Sequence, residues 1–203
     1  MTKNIYQVKT FLPKYEFRTD TEKKQGKVLW FTGFSGAGKS TIATALEKKI
    51  HHQGLVCKVL DGDILRCGLN SNVGFSEEDR MENIRRTAEV AKLFSEIGIT
   101  VIVAFITPTK AMRDRAQQII GNENFSEVFI KTSLEVCEER DVKGLYAKAR
   151  SGEIKEFTGI TAVYETPKTP DIIIDTCHSS IAHSVEILFK RFVCSKPNSV
   201  AWH

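Results

Sequence analysis

The stretch Gly33-Phe34-Ser35-Gly36-Ala37-Gly38-Lys39-Ser40 stands between an apolar run, KVLWFTG (27–33), and a helix-like run from Ser40 to Gln53. Its spacing satisfies G-x-x-x-x-G-K-[ST] through Gly33, Gly38, Lys39 and Ser40, with Gly36 as an extra glycine inside. The glycines let the backbone turn so that successive N–H groups converge on a β-phosphate. Lys39 supplies a point charge to the β- and γ-oxygens, and the Ser40 hydroxyl can ligate Mg²⁺. The helix that follows adds the positive end of its dipole. A nucleoside triphosphate, expected to be ATP, would rest on Gly33, Ser35, Gly36, Ala37, Gly38, Lys39, Ser40 and Thr41.

Outward from this loop, strand-like and helix-like segments alternate. GLVCKVL (54–60) reads as a second strand, 76–98 as a long helix, and ITVIVAFI (99–106) as a strand apolar on both faces. A helix near 109–120, a strand near 126–130, a helix near 133–141, the strand DIIID (171–175) and a helix over 180–192 complete the pattern. Such alternation predicts an α/β three-layer sandwich around a mainly parallel central sheet. The interval 142–170 breaks the alternation and is rich in Lys, Gly, Thr and Pro, which marks it as a functional lid insertion. The expected organisation is an extension over 1–25, one domain over 26–192 and a tail over 193–203.

Composition narrows the partners. The 203 residues are 41% hydrophobic and 27% charged, ordinary values for a chain with a full core. A net charge of +4 gives little support for nucleic acid and equally suits an anionic small molecule. The five cysteines (57, 67, 137, 177 and 194) form no C-x-x-C pair, so reduced thiols in the cytoplasm are expected. His51 and His52 are adjacent on a helix, about 100° apart, and read as a solvated helix end rather than a metal pair. No apolar run approaches the roughly 18 residues that span a membrane. The first 26 residues lack an apolar h-region, and Glu16, Asp20 and Glu22 weaken a presequence reading without excluding organelle import.

A phosphate-binding loop serves kinases, GTPase switches and ATPases alike. The guanine-reading N-K-x-D segment is missing, and the second strand ends in Asp61-Gly62-Asp63, at the sheet edge where ligands bind. A carboxylate there can accept a hydroxyl proton or hold Mg²⁺-bound water, which suits Asp63; Asp61 reads equally well as an Asx turn. In the long helix, Ser76 and Asp79 resemble a capping box. Ile84, Val90, Ala91 and Phe94 form an apolar arc, opposite Glu82, Arg85, Glu89, Lys92 and Glu96. Arg80 and Asn83 fall inside that arc, so Arg80 needs an internal carboxylate or an anionic ligand, of which the ligand is preferred.

The blocks DGDILRCGLN (61–70), GFSEEDRMENIRR (74–86), AFITP (104–108) and RDVKGLYAKARSGEIKEFTGI (140–160) closely resemble the adenylylsulfate kinase (APS kinase) family, in its order and spacing, through most of 26–192. The resemblance implies a nucleoside-monophosphate-kinase-like fold with a mobile lid, usually in a homodimer. It also implies that MgATP phosphorylates the 3′-hydroxyl of adenosine 5′-phosphosulfate (APS) to give PAPS and ADP, downstream of an ATP sulfurylase. By the same resemblance, Lys39 and Asp63 are catalytic, and Ser40 and Asp63 lie at the metal. Arg66, Arg80 and Asn83 match acceptor-binding positions, Phe75 and Phe157 the aromatics that sandwich the acceptor adenine, and Ile106 and Thr107 the acceptor pocket floor. Arg140 and Lys143, which as plain sequence read as solvated charges, match lid positions that face the nucleotides. The chain departs from the family pattern at Ile64 (commonly Asn), Cys67 (often His or Gln), AFITP for SFISP, and Glu156 (usually Gly). A related kinase with another nucleotide-linked acceptor, and a nucleotide-binding module without turnover, are the alternatives.

Overall fold

The computed structural model describes residues 26–193; the expected extension 1–25 and positions 194–203 of the tail lie outside the described residues. Five strands form one sheet, all parallel, in the order β2-β3-β1-β4-β5. They are β1 (Val28–Thr32), β2 (Cys57–Asp61), β3 (Thr100–Ala104), β4 (Phe125–Lys131) and β5 (Ile172–Asp175). Between and after them run α1 (Lys39–His52), α2 (Gly62–Arg66), α3 (Glu77–Glu96), α4 (Lys110–Ile120), α5 (Leu134–Arg140), α6 (Leu145–Arg150) and α7 (Ile181–Phe192).

Strand alternation sorts the core into two layers. From β1, Leu29 and Phe31 join Ile42, Leu46 and Leu188 on the α1/α7 face, while Val28 and Trp30 join Ile84, Ala88 and Met112 on the α3/α4 face. β3 divides the same way, Ile102 and Ala104 against Val101 and Val103. This is the expected three-layer sandwich, and every residue of β1 is buried because both faces of a central parallel strand are covered. The order places β1 between β3 and β4, so the loop after it opens at the switch point where strand order reverses.

Three boundaries differ from the sequence reading. The second strand begins at Cys57 instead of 54, because Gly54 adopts φ 70° and its N–H and that of Leu55 turn back to His51 and Ile50 carbonyls, closing α1. The strand expected to reach 106 stops at Ala104, since the Ile106 and Thr107 carbonyls turn aside to the Thr32 hydroxyl. After Asp61 the chain enters the short helix α2, where a strand-end turn was expected. The long helix forms over Glu77–Glu96, with Ser76 Oγ accepting from the Asp79 N–H at 3.1 Å and donating to the Asp79 carboxylate at 3.0 Å.

Candidate active site

The loop over 33–40 passes directly from β1 into α1. Gly33 has φ 149°, and a Cβ there would come within 2.5 Å of the Ile130 carbonyl, so only glycine lets β1 and β4 close around the loop. Gly36 and Gly38 also take positive φ, 76° and 99°. Side-chain oxygens of Ser76, Thr109 and Ser180 cap α3, α4 and α7, whereas α1 starts at Gly38 with no side-chain cap. The N–H groups of its first turn, at Lys39, Ser40 and Thr41, thus lack an intrahelical partner and are presented for an anion. The Lys39 ammonium is buried and donates to the Gly33 and Phe34 carbonyls at 2.9 and 2.6 Å. Burial lowers its pKa to about 8, a cation held ready at a cost that phosphate would relieve.

The loop is braced from below. Ala37, itself buried, offers its carbonyl to the Thr132 and Thr176 hydroxyls at 3.2 and 3.0 Å. The Tyr146 hydroxyl donates to the Ser35 carbonyl at 2.9 Å, and burial raises that phenol's pKa. Arg140 donates to the Gly36 carbonyl (3.3 Å) and the Thr176 carbonyl (3.1 Å), tying α5 to the loop. Thr132, Thr176 and Tyr146 escaped sequence reading, since strand-edge threonines and a helical tyrosine carry no local signal for such a role.

Beside Ser40 stands the Asp61-Gly62-Asp63 turn. The Ser40 hydroxyl donates to Asp61 Oδ2 at 2.6 Å, and Asp61 Oδ1 accepts from the Asp63 N–H at 2.9 Å. Asp61 therefore is the Asx cap of α2 and, with its other oxygen, a partner of the loop serine. Asp63 is exposed and forms an ion pair with Lys143, which brings the chain just before α6 onto the sheet edge. Lys143 and Arg140 are thus engaged with the site while remaining exposed. The oxygen set Ser40, Asp61 and Asp63 is hard, as Mg²⁺ requires. Among the described residues no three carboxylates, histidines or cysteines cluster as a metal site, so an ion here needs phosphate oxygens to complete its shell.

Of the acceptor candidates, Arg66 lies near enough to Asp63 to feel its charge. Arg66 donates to the Val73 and Gly74 carbonyls at 2.7 and 3.0 Å, and its guanidinium lies 4.1 Å from the Phe75 ring centroid. Arg80 donates to the Phe75 carbonyl (2.8 Å), the Glu156 carbonyl (2.7 Å) and the Thr158 hydroxyl (3.3 Å). Of the two partners expected for Arg80, no internal carboxylate lies within ion-pair reach among the described residues; neutral oxygens take three of its five N–H groups, and its charge stays available to the anionic ligand preferred from sequence. Asn83 is buried and accepts from Asn70 Nδ2 at 2.6 Å. The two aromatics are not a free sandwich in this structure. Arg66 covers the exposed Phe75, and Phe157 is buried with its ring edge-on to Tyr146 at 4.9 Å.

Beyond β3, Thr107 is buried with φ 43°, rare for a β-branched residue. Its hydroxyl accepts from the Trp30 indole at 2.9 Å, so the hydroxyl faces the core. Ile106 contributes its carbonyl, which accepts from the Thr32 hydroxyl (2.7 Å) and the Gly33 N–H (3.3 Å). The Tyr164 hydroxyl lies 3.0 Å from the same Thr32 oxygen, and its ring packs 4.6 Å from Phe34. A cleft of about 350 Å³ opens between Phe34 and the 159–164 segment.

A parallel sheet with a glycine-rich anion loop after its central strand, a buried loop lysine and a carboxylate at the next strand end define a P-loop nucleotide-binding protein. A family model described as adenylylsulphate kinase matches residues 25–175. An adenylyl-sulfate kinase of Bacteroides thetaiotaomicron is 55% identical over 176 residues, 85% of this chain and 88% of that protein. One of Bacteroides fragilis is 51% identical over 187 residues, 92% and 93%. The structure of the Mycobacterium tuberculosis APS kinase CysC in complex with AMPPNP and APS superposes with TM-score 0.79 at 45% identity, covering 82% of this chain and 96% of that one. The chain belongs to the adenylylsulphate kinase family.

Proposed function

We propose that the chain transfers the γ-phosphoryl group of ATP to the 3′-hydroxyl of adenosine 5′-phosphosulfate, giving PAPS and ADP. The observation that carries this reading is the placement of Asp63. Its carboxylate is near enough to act on both the Lys39 ammonium of the anion site and the Arg66 guanidinium of the Arg66–Phe75–Arg80–Asn83 group, where a donor phosphate and an acceptor hydroxyl would meet. Ser40 and the Asp61–Asp63 turn would hold Mg²⁺ with the nucleotide, and the ion would supply charge neutralisation to the phosphates. Lys39 and the first-turn N–H groups of α1 bind and orient the triphosphate. Asp63 accepts the 3′-hydroxyl proton as the O3′–P bond forms and the bond from Pγ to the ADP oxygen breaks. Lys143, paired with Asp63 before substrates arrive, then faces the charge that the phosphoryl group carries across. Arg140 holds the loop from the lid side. Arg66, Arg80 and Asn83 bind the acceptor, with Phe75 and Phe157 on its adenine; Arg66 leaving the Phe75 ring is part of that binding.

The same reading places 142–170 as a lid over the site and the enzyme downstream of an ATP sulfurylase, in the cytoplasm. No helix among the described residues is long and apolar enough to cross a membrane. Association with a second copy is supported by Leu93 and Ile97, exposed one turn apart on α3 and its end. The test is Asp63→Ala: turnover with APS falls by more than about a hundredfold, as for loss of a general base, while ATP binding is retained. Near-normal rates in this variant would remove Asp63 from the mechanism. ADP release only with some other acceptor would replace APS.

A further inference from the structure

Arg80 is half-buried, and burial holds its guanidinium below its ordinary pKa, a sign that the cation is imperfectly compensated. Its three described hydrogen bonds go to two carbonyls and a hydroxyl, none of them charged. A guanidinium carries five N–H donors, so two remain for a ligand while the other three keep Phe75 and the 156–158 segment in place. Among the described residues no carboxylate lies within ion-pair distance of it. The carboxylate that acts on it through space belongs to Glu156, the residue whose own carbonyl accepts from Arg80 Nη2 at 2.7 Å. Glu156 is exposed and immediately precedes the buried Phe157, so the backbone bond fixes where its side chain leaves the lid.

We infer that Glu156 sets the affinity for the acceptor: its carboxylate opposes the Arg80 cation, which no carboxylate pairs, and repels the phosphosulfate dianion that Arg80 would hold. This rests on the placing of the acceptor at Arg80. The carboxylate is in high dielectric, so the effect is a modest multiple rather than an on–off switch. It belongs to acceptor binding and leaves ATP binding alone, because the Lys39 loop has its own partners.

The experiment is a charge series at Glu156, which keeps the backbone carbonyl that Arg80 uses and alters only an exposed side chain. Glu156→Gln is expected to lower KM for APS by about two- to five-fold at low salt, with KM for ATP unchanged. Glu156→Lys lowers it further, and Glu156→Asp matches the parent. At about 1 M salt, where screening acts within about 3 Å, the series converges. Equal KM values for Gln and Asp, or a rise with Gln, overturn the inference. Arg80→Ala separates it from the reading beneath it. If that variant leaves KM for APS unchanged, the acceptor does not lie at Arg80. If it raises KM while Glu156→Gln has no effect, only the role of Glu156 fails. In the double variant the Gln effect is expected to vanish.

Discussion

Lys39 carries its charge at a cost. Burial sets its pKa near 8 against an ordinary 10.5, so between these values the folded chain binds fewer protons than the unfolded one. Its contribution to stability therefore rises with pH across that window, and below it the penalty is present in full. A bound triphosphate supplies the opposite charge and restores the pKa upward. Calorimetric titration with a non-hydrolysable ATP analogue near pH 8, in buffers of different ionisation enthalpy, is expected to record uptake of up to about half a proton. Zero uptake, or release, would place the phosphates away from Lys39. Lys39, Ser40 and the glycines were legible in sequence because the loop is one contiguous local motif. The core contact of Thr107 was not: the indole that donates to its hydroxyl comes from 77 residues away.

The 142–170 segment is anchored at two buried aromatics, Tyr146 and Phe157, and joined to the rest by polar contacts, Lys143 to Asp63 and Arg80 to Glu156 and Thr158. Between the anchors, positions 151–156 are largely exposed, with Arg150 and Lys155 accessible to trypsin. Regions held by few buried contacts open at the lowest free energy. Limited trypsinolysis is expected to cut first in this interval, and ADP with APS together are expected to slow that cut several-fold as the lid closes on them. Cleavage at an unchanged rate would mean that 142–170 is not a lid. The interval announced itself in sequence by breaking the β-α alternation. Its helix α6 did so only weakly, because that helix starts at Gly144 and borrows the Asp141 carboxylate to cap the Tyr146 and Ala147 N–H groups.

Across the whole molecule, a buried arginine and a partly buried glutamate join layers that sequence order keeps apart. Arg113 of α4 meets Glu127 of β4 at 2.8 Å and donates to the Thr107 and Pro108 carbonyls at 3.3 and 3.4 Å. Burial pushes the Glu127 pKa up, and Arg113 opposes that shift. Removing one partner leaves the other without compensation in low dielectric. Arg113→Met is expected to cost about 3–5 kcal/mol in urea unfolding, and Arg113→Met with Glu127→Gln markedly less. A loss below about 1 kcal/mol for the single variant would mean that the pair bears little on the fold. The turn it supports lies at the sheet edge beside the phosphate loop, linked to it through Gly33 and Thr32, so the fold's stability and the site's shape share these contacts.

By itself the sequence determined the order of elements, the parallel sandwich, the phosphate loop and the residues that flank it, because strand period, helix period and loop motif are properties of neighbours along the chain. Tertiary structure decided which charge each of those residues meets. Arg80 finds neutral oxygens and one distant carboxylate, Lys143 finds Asp63, Ser40 finds Asp61, and Phe157 turns into the core against Tyr146. These partners come from separate strands and helices, and only the packing of the layers brings them within hydrogen-bond reach.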